Sequence, residues 1–239
     1  KGDVYTEESF DIRGRCEITG ALRSPYAGQL DADAQVAGRI RIGPTTVDRW
    51  TPQLLVATAM QCDDHASCWK PEASITHLEP GVYGSIDLGR NCVVRLRAGV
   101  YQFRRLWLAN QVRVIADTSD GDVIIHLADG MTADSGVSFA RSGDGALSLL
   151  SRGYVYLGAG GVFDANVMSL EGDMDVDQNC QITGRLYARG DLWLGHNAFI
   201  DGGGRGVAQA AGSLEDAISP SVGVDTTGRY AWETLRQVA

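Results

Sequence analysis

The sequence is poor in proline, short of basic residues and free of long apolar runs, and each shortage excludes a class of protein. Six prolines accompany 30 glycines in 239 residues, which excludes a collagen-like chain and predicts many tight turns between short segments. No apolar run reaches the roughly 18 residues that a transmembrane helix needs. With 21 basic against 30 acidic residues the net charge is −9, so neither nucleic acid nor an anionic membrane surface is expected as a partner.

Common catalytic and targeting motifs are also missing. The start, KGDVYTEESF, lacks the charged and then apolar pattern of a signal peptide, so Lys1 is expected to be an internal start. There is no Gly-x-Ser-x-Gly elbow, no phosphate-binding loop and no His-Glu-x-x-His zinc motif in the sequence. The four histidines show no ligand spacing: His65, His77, His126 and His196. These absences predict a protein that is not an enzyme.

What the sequence does contain is a repeat. Residues 172–184, GDMDVDQNCQITG, return 18 positions later as GDLWLGHNAFIDG at 190–202, and PGVY at 80–83 returns as AGVY at 98–101. The shared template places small or apolar residues at positions x, x+2, x+6 and x+8. Six segments fit this template: Phe10/Ile12/Cys16/Ile18, Gly28/Leu30/Ala34/Val36, Ile86/Leu88/Cys92/Val94, Leu106/Leu108/Val112/Val114, Met174/Val176/Cys180/Ile182 and Leu192/Leu194/Ala198/Ile200.

The spacing of this template favours strands over helices. On a helix the four positions would point around the whole circumference, whereas on strands their equal parity places all four side chains on one face. The residues between the two halves would then turn a corner, and the small residues at x+6 fit a narrow interior. We predict an all-β, right-handed β-solenoid with coils of about 18 residues, stabilised by stacking. An antiparallel sandwich with regular hairpins is the alternative.

The template divides the chain into four parts. Residues 1–43 hold the first coils, residues 44–78 break the pattern as an irregular excursion, and residues 79–204 hold the main solenoid. Residues 205–239 form a C-terminal tail. Within it, TGRYAWETLRQVA is predicted to be a short amphipathic helix that caps the solenoid, because solenoid ends require caps.

The five cysteines fall into two groups. Cys16, Cys92 and Cys180 share the x+6 position and are predicted to be inward-facing packing residues, which stacking in register could bring near one another. Cys62 and Cys68 flank the loop CDDHASC in the excursion, where we predict a disulfide and therefore export to an oxidising compartment. A zinc site made from this loop is the alternative, although its spacing is not that of strong zinc motifs.

Acidic residues cluster at one strand of the repeat. Asp173, Asp175 and Asp177 alternate along this strand, so their carboxylates would share an outward face, where they could bind calcium or form a solvated acidic surface. No other cofactor is expected. A polysaccharide lyase or hydrolase is the enzymatic alternative. It would use these acids or Asp63 and Asp64, together with outward arginines: Arg104, Arg105, Arg185 and Arg189.

Ice binding is another use of flat solenoid faces, and it would require rows of threonine at matching positions. Thr19 and Thr183 occupy matching positions in two coils. The corresponding positions of other coils hold unrelated residues: Ala37, Arg95, Ile115 and Asp201. The sequence therefore does not favour ice binding.

Two stretches resemble a known group of repeats. LEPGVYGSIDLGRNCVVRLRAGVYQFRRLWLANQVRVIAD at 78–117 and GRLYARGDLWLGHNAFIDG at 184–202 are similar to the β-helical repeats of bacterial surface and pilus-assembly proteins of the PilX and MSHA-biogenesis type. The coil more distantly resembles the bactofilins, cytoskeletal proteins that polymerise end to end, although the excursion and the predicted disulfide depart from them. The resemblance implies a displayed structural or adhesive module and brings no catalytic residues.

These observations predict a non-enzymatic structural or adhesive part of a bacterial pilus or envelope assembly, exported to the cell surface. Loops that project from a rigid scaffold commonly carry binding, and exposed aromatic residues anchor partners. The predicted binding residues lie in the excursion: Trp50, Asp63, Asp64, His65 and Trp69. Expected partners are pilus or envelope proteins, a host or prey surface, or a glycan. Self-association into a polymerising scaffold is the alternative.

Overall fold

A computed structural model describes residues 2–42 and 68–202 of the chain. These residues form 25 β-strands, and every pair of neighbouring strands runs parallel. The strands stack into a β-solenoid of nine coils with three faces, which we call A, B and C. Among the described residues, no helix is long and apolar enough to cross a bilayer. The predicted all-β solenoid is confirmed.

Each coil contributes one strand to each face. Face A contains, in stacking order, β8 (Cys68–Lys70), β11 (Ile86–Leu88), the second half of β13 (Gly99–Leu108), the end of β15 (Val123–Ala133), β18 (Val155–Leu157), β21 (Met174–Val176), β24 (Leu192–Leu194), β2 (Phe10–Ile12) and β5 (Gln29–Leu30). Face B contains β9 (Ile75–Leu78), β12 (Val93–Leu96), β14 (Arg113–Asp117), β16 (Ser138–Ser142), β19 (Val162–Phe163), β22 (Gln181–Thr183), β25 (Phe199–Asp201), β3 (Glu17–Ile18) and β6 (Gln35–Val36). Face C contains β10 (Gly81–Val82), the first halves of β13 and β15, β17 (Leu147–Ser151), β20 (Asn166–Ser169), β23 (Leu186–Ala188), β1 (Val4–Thr6), β4 (Leu22–Ser24) and β7 (Ile40–Ile42).

The strand register confirms the template read from the sequence. Ile86 lies opposite Leu106 on face A, and Ile182 lies opposite Ile200 on face B. The template residues of successive coils therefore form columns that point into one continuous interior, where Ile18, Ile182 and Ile200 are at most 1% exposed. Each such aliphatic side chain contributes roughly 1.5–3 kcal/mol when it is fully buried.

Two further coils fit the template but not the 18-residue phase. They contain Met131/Ala133/Val137/Phe139 and Val155/Leu157/Gly161/Phe163, which pair in register with their neighbours. The step from the face A strand to the face B strand stays at seven residues, as from Met131 to Ser138. The extra residues lie between faces B and C, on turns such as TSDGD and RSGDG. Coils of 18 residues thus describe the ends of the stack, while the middle coils are longer than predicted.

Asparagine shapes the corner between faces A and B. Asn91, Asn179 and Asn197 stand at x+5 in their coils with φ of 59°, 58° and 58°, a left-handed conformation that asparagine adopts more readily than most residues. Asn197 Nδ2 donates a hydrogen bond to Asn179 Oδ1 on the adjacent coil, at 3.1 Å. The corner therefore repeats with the coil and keeps the step between the two faces constant.

The coils do not stack in chain order. Strands β1, β2 and β3 near the N-terminus pair with β23, β24 and β25 at the far end of the main solenoid. Coil 7 is completed by β1, coil 8 consists of β2, β3 and β4, and coil 9 consists of β5, β6 and β7. The stack thus starts at Cys68 and ends at Ile42, so these two residues lie at opposite ends of it.

The cysteines at x+6 are buried and unbridged, as the packing prediction requires: Cys16, Cys92 and Cys180. They do not lie near one another, because Ala198 separates the coils of Cys180 and Cys16 and several coils separate Cys180 from Cys92. The longer middle coils hold larger interior residues instead, such as Phe139 and Phe163, whose ring centroids are 5.6 Å apart.

The predicted division of the chain changes at the excursion. Residues 68–78, which the sequence analysis placed in the excursion 44–78, form β8 and β9 and belong to coil 1. The remainder of the excursion, with Cys62 of the predicted disulfide, lies outside the described residues. The predicted C-terminal helix within 205–239 lies outside them as well.

On face C, the side chains that point away from the interior are buried in coils 4 to 7. Tyr5, Leu150, Met168 and Tyr187 point away from the interior by register, yet each is at most 5% exposed. This part of face C is therefore excluded as a solvent-facing binding surface. Faces A and B remain as candidates.

Candidate ligand-binding face

Face A carries a continuous outward column of side chains along the whole stack. In each coil the residue at x+1 points away from the interior, because side chains alternate between the two sides of a strand. The parallel register aligns these residues across the nine coils. From coil 1 to coil 9 the column, which we call the face A column, reads Trp69, Asp87, Trp107, Thr132, Tyr156, Asp175, Trp193, Asp11 and Gln29.

The face A column alternates between aromatic and polar side chains. Coils 1, 3, 5 and 7 each supply a tryptophan or tyrosine, and coils 2, 4, 6 and 8 each supply an aspartate or threonine. Strands in a sheet lie about 4.8 Å apart, so the aromatic rings recur about every 9.5 Å. All three tryptophans within residues 2–42 and 68–202 belong to this column. The alternation holds without interruption from coil 1 to coil 8.

The aromatic side chains of the column reach solvent. Trp69 is 69% exposed and Trp107 is 43% exposed, while Tyr156 and Trp193 are half-buried. Tyr154, two residues before Tyr156 on the same face, is 45% exposed and widens the aromatic surface at coil 5. These rings therefore offer apolar faces to a ligand without any change in the fold.

Neighbouring groups hold the carboxylates of the column in place. Arg105 pairs with Asp87 at 3.3 Å, and Arg13 pairs with Asp11 at 2.6 Å. The hydroxyl of Tyr154 donates a hydrogen bond to Asp175 Oδ2 at 3.4 Å. Exposed ion pairs of this kind add little to stability, but they orient the carboxylates that a ligand would meet.

The tyrosines on face A stay protonated at neutral pH. Burial, together with the charge of Asp175, raises the pKa of Tyr154 to about 12. Burial and the charge of Asp177 raise the pKa of Tyr156 to about 12, and its hydroxyl donates to Asp177 Oδ2 at 3.2 Å. Burial, followed by repulsion from Asp177, also raises the pKa of Asp175 above its usual value. The aromatic rings thus remain neutral beside acidic neighbours.

The three predicted calcium ligands lie on and beside the column. Asp173 Oδ1 accepts a hydrogen bond from the backbone N–H of Asp191 at 2.9 Å, and Asp177 Oδ1 accepts one from the N–H of Gln178 at 2.6 Å. Within the described part of the chain, no group of three or more His, Cys, Asp or Glu side chains could hold a metal ion. Calcium binding by Asp173, Asp175 and Asp177 stays a prediction.

Only one predicted binding residue, Trp69, lies within the described residues, where it opens the face A column. The other four lie outside them: Trp50, Asp63, Asp64 and His65. Sequence reasoning missed Trp107, Tyr156 and Trp193. Their signal is an aromatic residue between two template residues, in LWL at 106–108, VYL at 155–157 and LWL at 192–194.

Within residues 2–42 and 68–202, face B carries no regular row of this kind. Thr19 and Thr183, which matched in sequence, are separated by Asp201, whose Oδ1 accepts a hydrogen bond from the hydroxyl of Thr19 at 2.9 Å. Farther along the same face, Arg95 lies opposite Ile115. The described part of face B therefore lacks the rows of threonine that the sequence analysis considered.

Comparison with known proteins identifies the fold and no family. No model of a known protein family and no curated protein matches the sequence. Among solved structures, the ice-binding protein of the Antarctic ascomycete Antarctomyces psychrotrophicus is 13% identical, with a TM-score of 0.58 over 83% of this chain and 92% of that one. An ice-binding protein from an Antarctic biological consortium is 16% identical, with a TM-score of 0.57 over 82% of this chain and 85% of that one. At these identities the similarity shows a shared β-solenoid fold alone.

Proposed function

We propose that this chain is a non-enzymatic binding module of a bacterial pilus or cell-envelope assembly and that it holds an extended surface ligand along the face A column. The observation that carries the proposal is the alternation of aromatic and polar side chains over successive coils. Exposed tryptophans are costly in water, and aromatic residues dominate the energetics of binding surfaces. A regular row of them on the outside of a solenoid therefore indicates a partner.

The shape of face A favours an extended ligand. Sites for small molecules are concave and enclose most of the ligand, whereas face A is the outer surface of a sheet. The aromatic part of the column runs from Trp69 to Trp193, six coil intervals or about 29 Å. Because the rings stand on a stack of paired strands, little conformational entropy is lost when a ligand meets them.

The setting outside the cytoplasm has separate support. The resemblance of residues 78–117 and 184–202 to the repeats of bacterial surface and pilus-assembly proteins supports a place in an envelope or pilus. The disulfide predicted between Cys62 and Cys68 supports export. The two structural neighbours described above are named as ice-binding proteins, which supports a binding role for this fold.

The assignment of binding to face A is tested with the full chain and a panel of bacterial envelopes and purified pili. A double variant, Trp107→Ala with Trp193→Ala, should lose most of the binding and keep its cooperative unfolding, because both rings lie on the exterior. As a matched control, Val162→Ala removes an apolar side chain from face B that is 47% exposed, and it should bind like the wild type. Equal binding by the double variant and the control would refute the assignment.

Ice binding is a second candidate, favoured by one observation, the similarity to two ice-binding proteins. The aspartates of the face A column and the mixed residues of face B argue against it. Inhibition of ice recrystallisation by the wild-type chain decides between the two candidates. We expect none at concentrations at which an ice-binding protein is active. Strong inhibition that is lost in the Trp107→Ala variant would replace the proposed function by ice binding.

A further inference from the structure

We infer that the ligand of the face A column is a linear, uncharged, β-1,4-linked polysaccharide that lies parallel to the solenoid axis. This inference rests on the proposed function and names the class of ligand for the same surface. Three features of the column carry it: its period, the alternation of its chemistry, and its charge.

The period of the column matches the repeat of such a glycan. Aromatic rings recur at every second coil, about 9.5 Å apart. In an extended β-1,4-linked chain each sugar is turned over relative to the one before it, so the structural repeat is a disaccharide and every second ring presents the same face. That disaccharide is close in length to two coil intervals. Glycans with axial linkages coil, and they would leave the column after one or two contacts.

The alternation of side chains matches the two surfaces of a sugar chain. The flat C–H face of a pyranose ring is apolar and packs on an aromatic ring, while hydroxyl groups project from its edges. A carboxylate only accepts hydrogen bonds and has about four lone-pair directions, so Asp87 and Asp11 can bind sugar hydroxyls while they keep their arginine partners. Bonds from a hydroxyl to an ionised carboxylate are stronger than those between neutral groups.

The charge of the surface excludes anionic polymers. Asp175 lies in the column between Asp173 and Asp177, and Asp191 lies beside them on the next coil. The whole chain carries a net charge of −9. A uronic-acid polymer or a teichoic acid would be repelled from this acidic surface, on which Arg13 and Arg105 are paired with column carboxylates, whereas a neutral glycan would not be repelled.

The length of the column sets the length of chain that it can bind. The four aromatic residues of the column span three two-coil intervals, so they match about seven successive sugar units. A disaccharide would reach one ring only. Successive contacts along one chain are intramolecular, so affinity should rise steeply with length and level off once all four rings are engaged.

A length series tests the inference on the unmodified chain. Calorimetric titration uses cello-oligosaccharides and chito-oligosaccharides of two to eight sugars each. The comparison of the two series distinguishes a cellulose-type ligand from a chitin-type ligand. We expect affinity to rise at least tenfold from two to seven sugars in one series and to change little beyond seven. Sedimentation with insoluble cellulose and chitin provides the matching polymer test. Amylose, whose linkages are axial, and polygalacturonate, which is anionic, should not bind.

Single variants connect this binding to the column. Trp107→Ala and Trp193→Ala should each weaken binding of the eight-sugar ligand by about three- to tenfold, the range expected for loss of one aromatic contact. Trp107→Phe keeps a ring and should recover much of the loss, and Val162→Ala should change nothing. The melting temperature of each variant reports on folding. Analysis of the supernatant for released sugars should find none, since release would indicate the polysaccharide-degrading enzyme instead.

Two results would overturn the inference. One is the absence of binding to every β-1,4-linked ligand of the series, and the other is binding that does not depend on length or on the tryptophans. If the double tryptophan variant still loses binding to envelopes or pili in that case, the proposed function stands and only the ligand class is wrong. If the variant binds envelopes and pili as well as the wild type does, both the function and the inference fall.

Discussion

Ile18 and Ile200 test whether the N-terminal coils and the main solenoid form one folding unit. The two residues lie opposite each other where β3 pairs with β25, and both are 0% exposed. They are 182 positions apart in the sequence but next to each other in one interior column. The perturbation is a set of three variants: Ile18→Ala, Ile200→Ala and the double variant.

The expected magnitude follows from the burial of the side chains. Each change removes three buried carbon atoms at about 0.8 kcal/mol each and leaves a cavity, so each should lower the free energy of unfolding by about 3 kcal/mol. For a chain of this size that corresponds to a fall in melting temperature of about 6–12 °C. Because Ile18 and Ile200 share one packing environment, the double variant should deviate from the sum of the single effects by at least about 0.5 kcal/mol.

Urea denaturation followed by circular dichroism and by tryptophan fluorescence measures these quantities. Ile40→Ala is the matched control, because Ile40 in β7 is 44% exposed at the end of the stack and its loss should cost less than about 0.5 kcal/mol. If residues 1–43 were instead a separate unit, Ile18→Ala would create an additional early transition and the two effects would be additive. That outcome would refute the continuous stack.

Three further predictions concern single residues. Burial lowers the pKa of His126 to about 4. Because the unfolded chain protonates this histidine near pH 6.5 and the folded chain does so only near pH 4, the free energy of unfolding should fall as the pH drops from 6.5 to 4. His126→Gln should reduce the loss of stability in this window by up to about 3 kcal/mol, measured by urea titrations at several pH values. Asn179→Ala should cost about 1–2 kcal/mol because φ is 58°, whereas Asn179→Gly should cost less; thermal melting compares them. Burial raises the pKa of Cys180 to about 11, so a thiol reagent at pH 8 should modify it only after unfolding, as peptide mass spectrometry would show.

Much of the fold could be predicted because its signal is local. The x, x+2, x+6, x+8 template identified six of the nine coils, and their interior residues are those that the structure buries, such as Leu194 and Ile182. The coils that begin at Met131 and Val155 satisfy the same template and were missed only because the turns between faces B and C lengthen their spacing. The coil that begins at Cys68 has Lys70 at x+2, so the apolar template does not predict it.

The candidate site was less predictable. The sequence predicts Trp69 as a binding residue within the irregular excursion, and the structure places it instead at the start of a column that runs the length of face A. Trp107 and Trp193 were visible in two LWL segments, but their shared column depends on which coils are neighbours. In chain order the x+1 residues begin with Asp11 and Gln29, whereas in the structure these two residues follow Trp193 at the far end of the column.

The sequence by itself determined which side chains face inward, because the alternation of a strand and the bend of each corner depend on residues only a few positions apart. Tertiary structure alone decided the order of the coils, since the backbone edges of all coils offer the same hydrogen-bonding groups and no local signal states which edge meets which. Pairing of β2 with β24 makes the two N-terminal coils a continuation of the main solenoid. That long-range choice also places Asp11 and Gln29 in the face A column beyond Trp193.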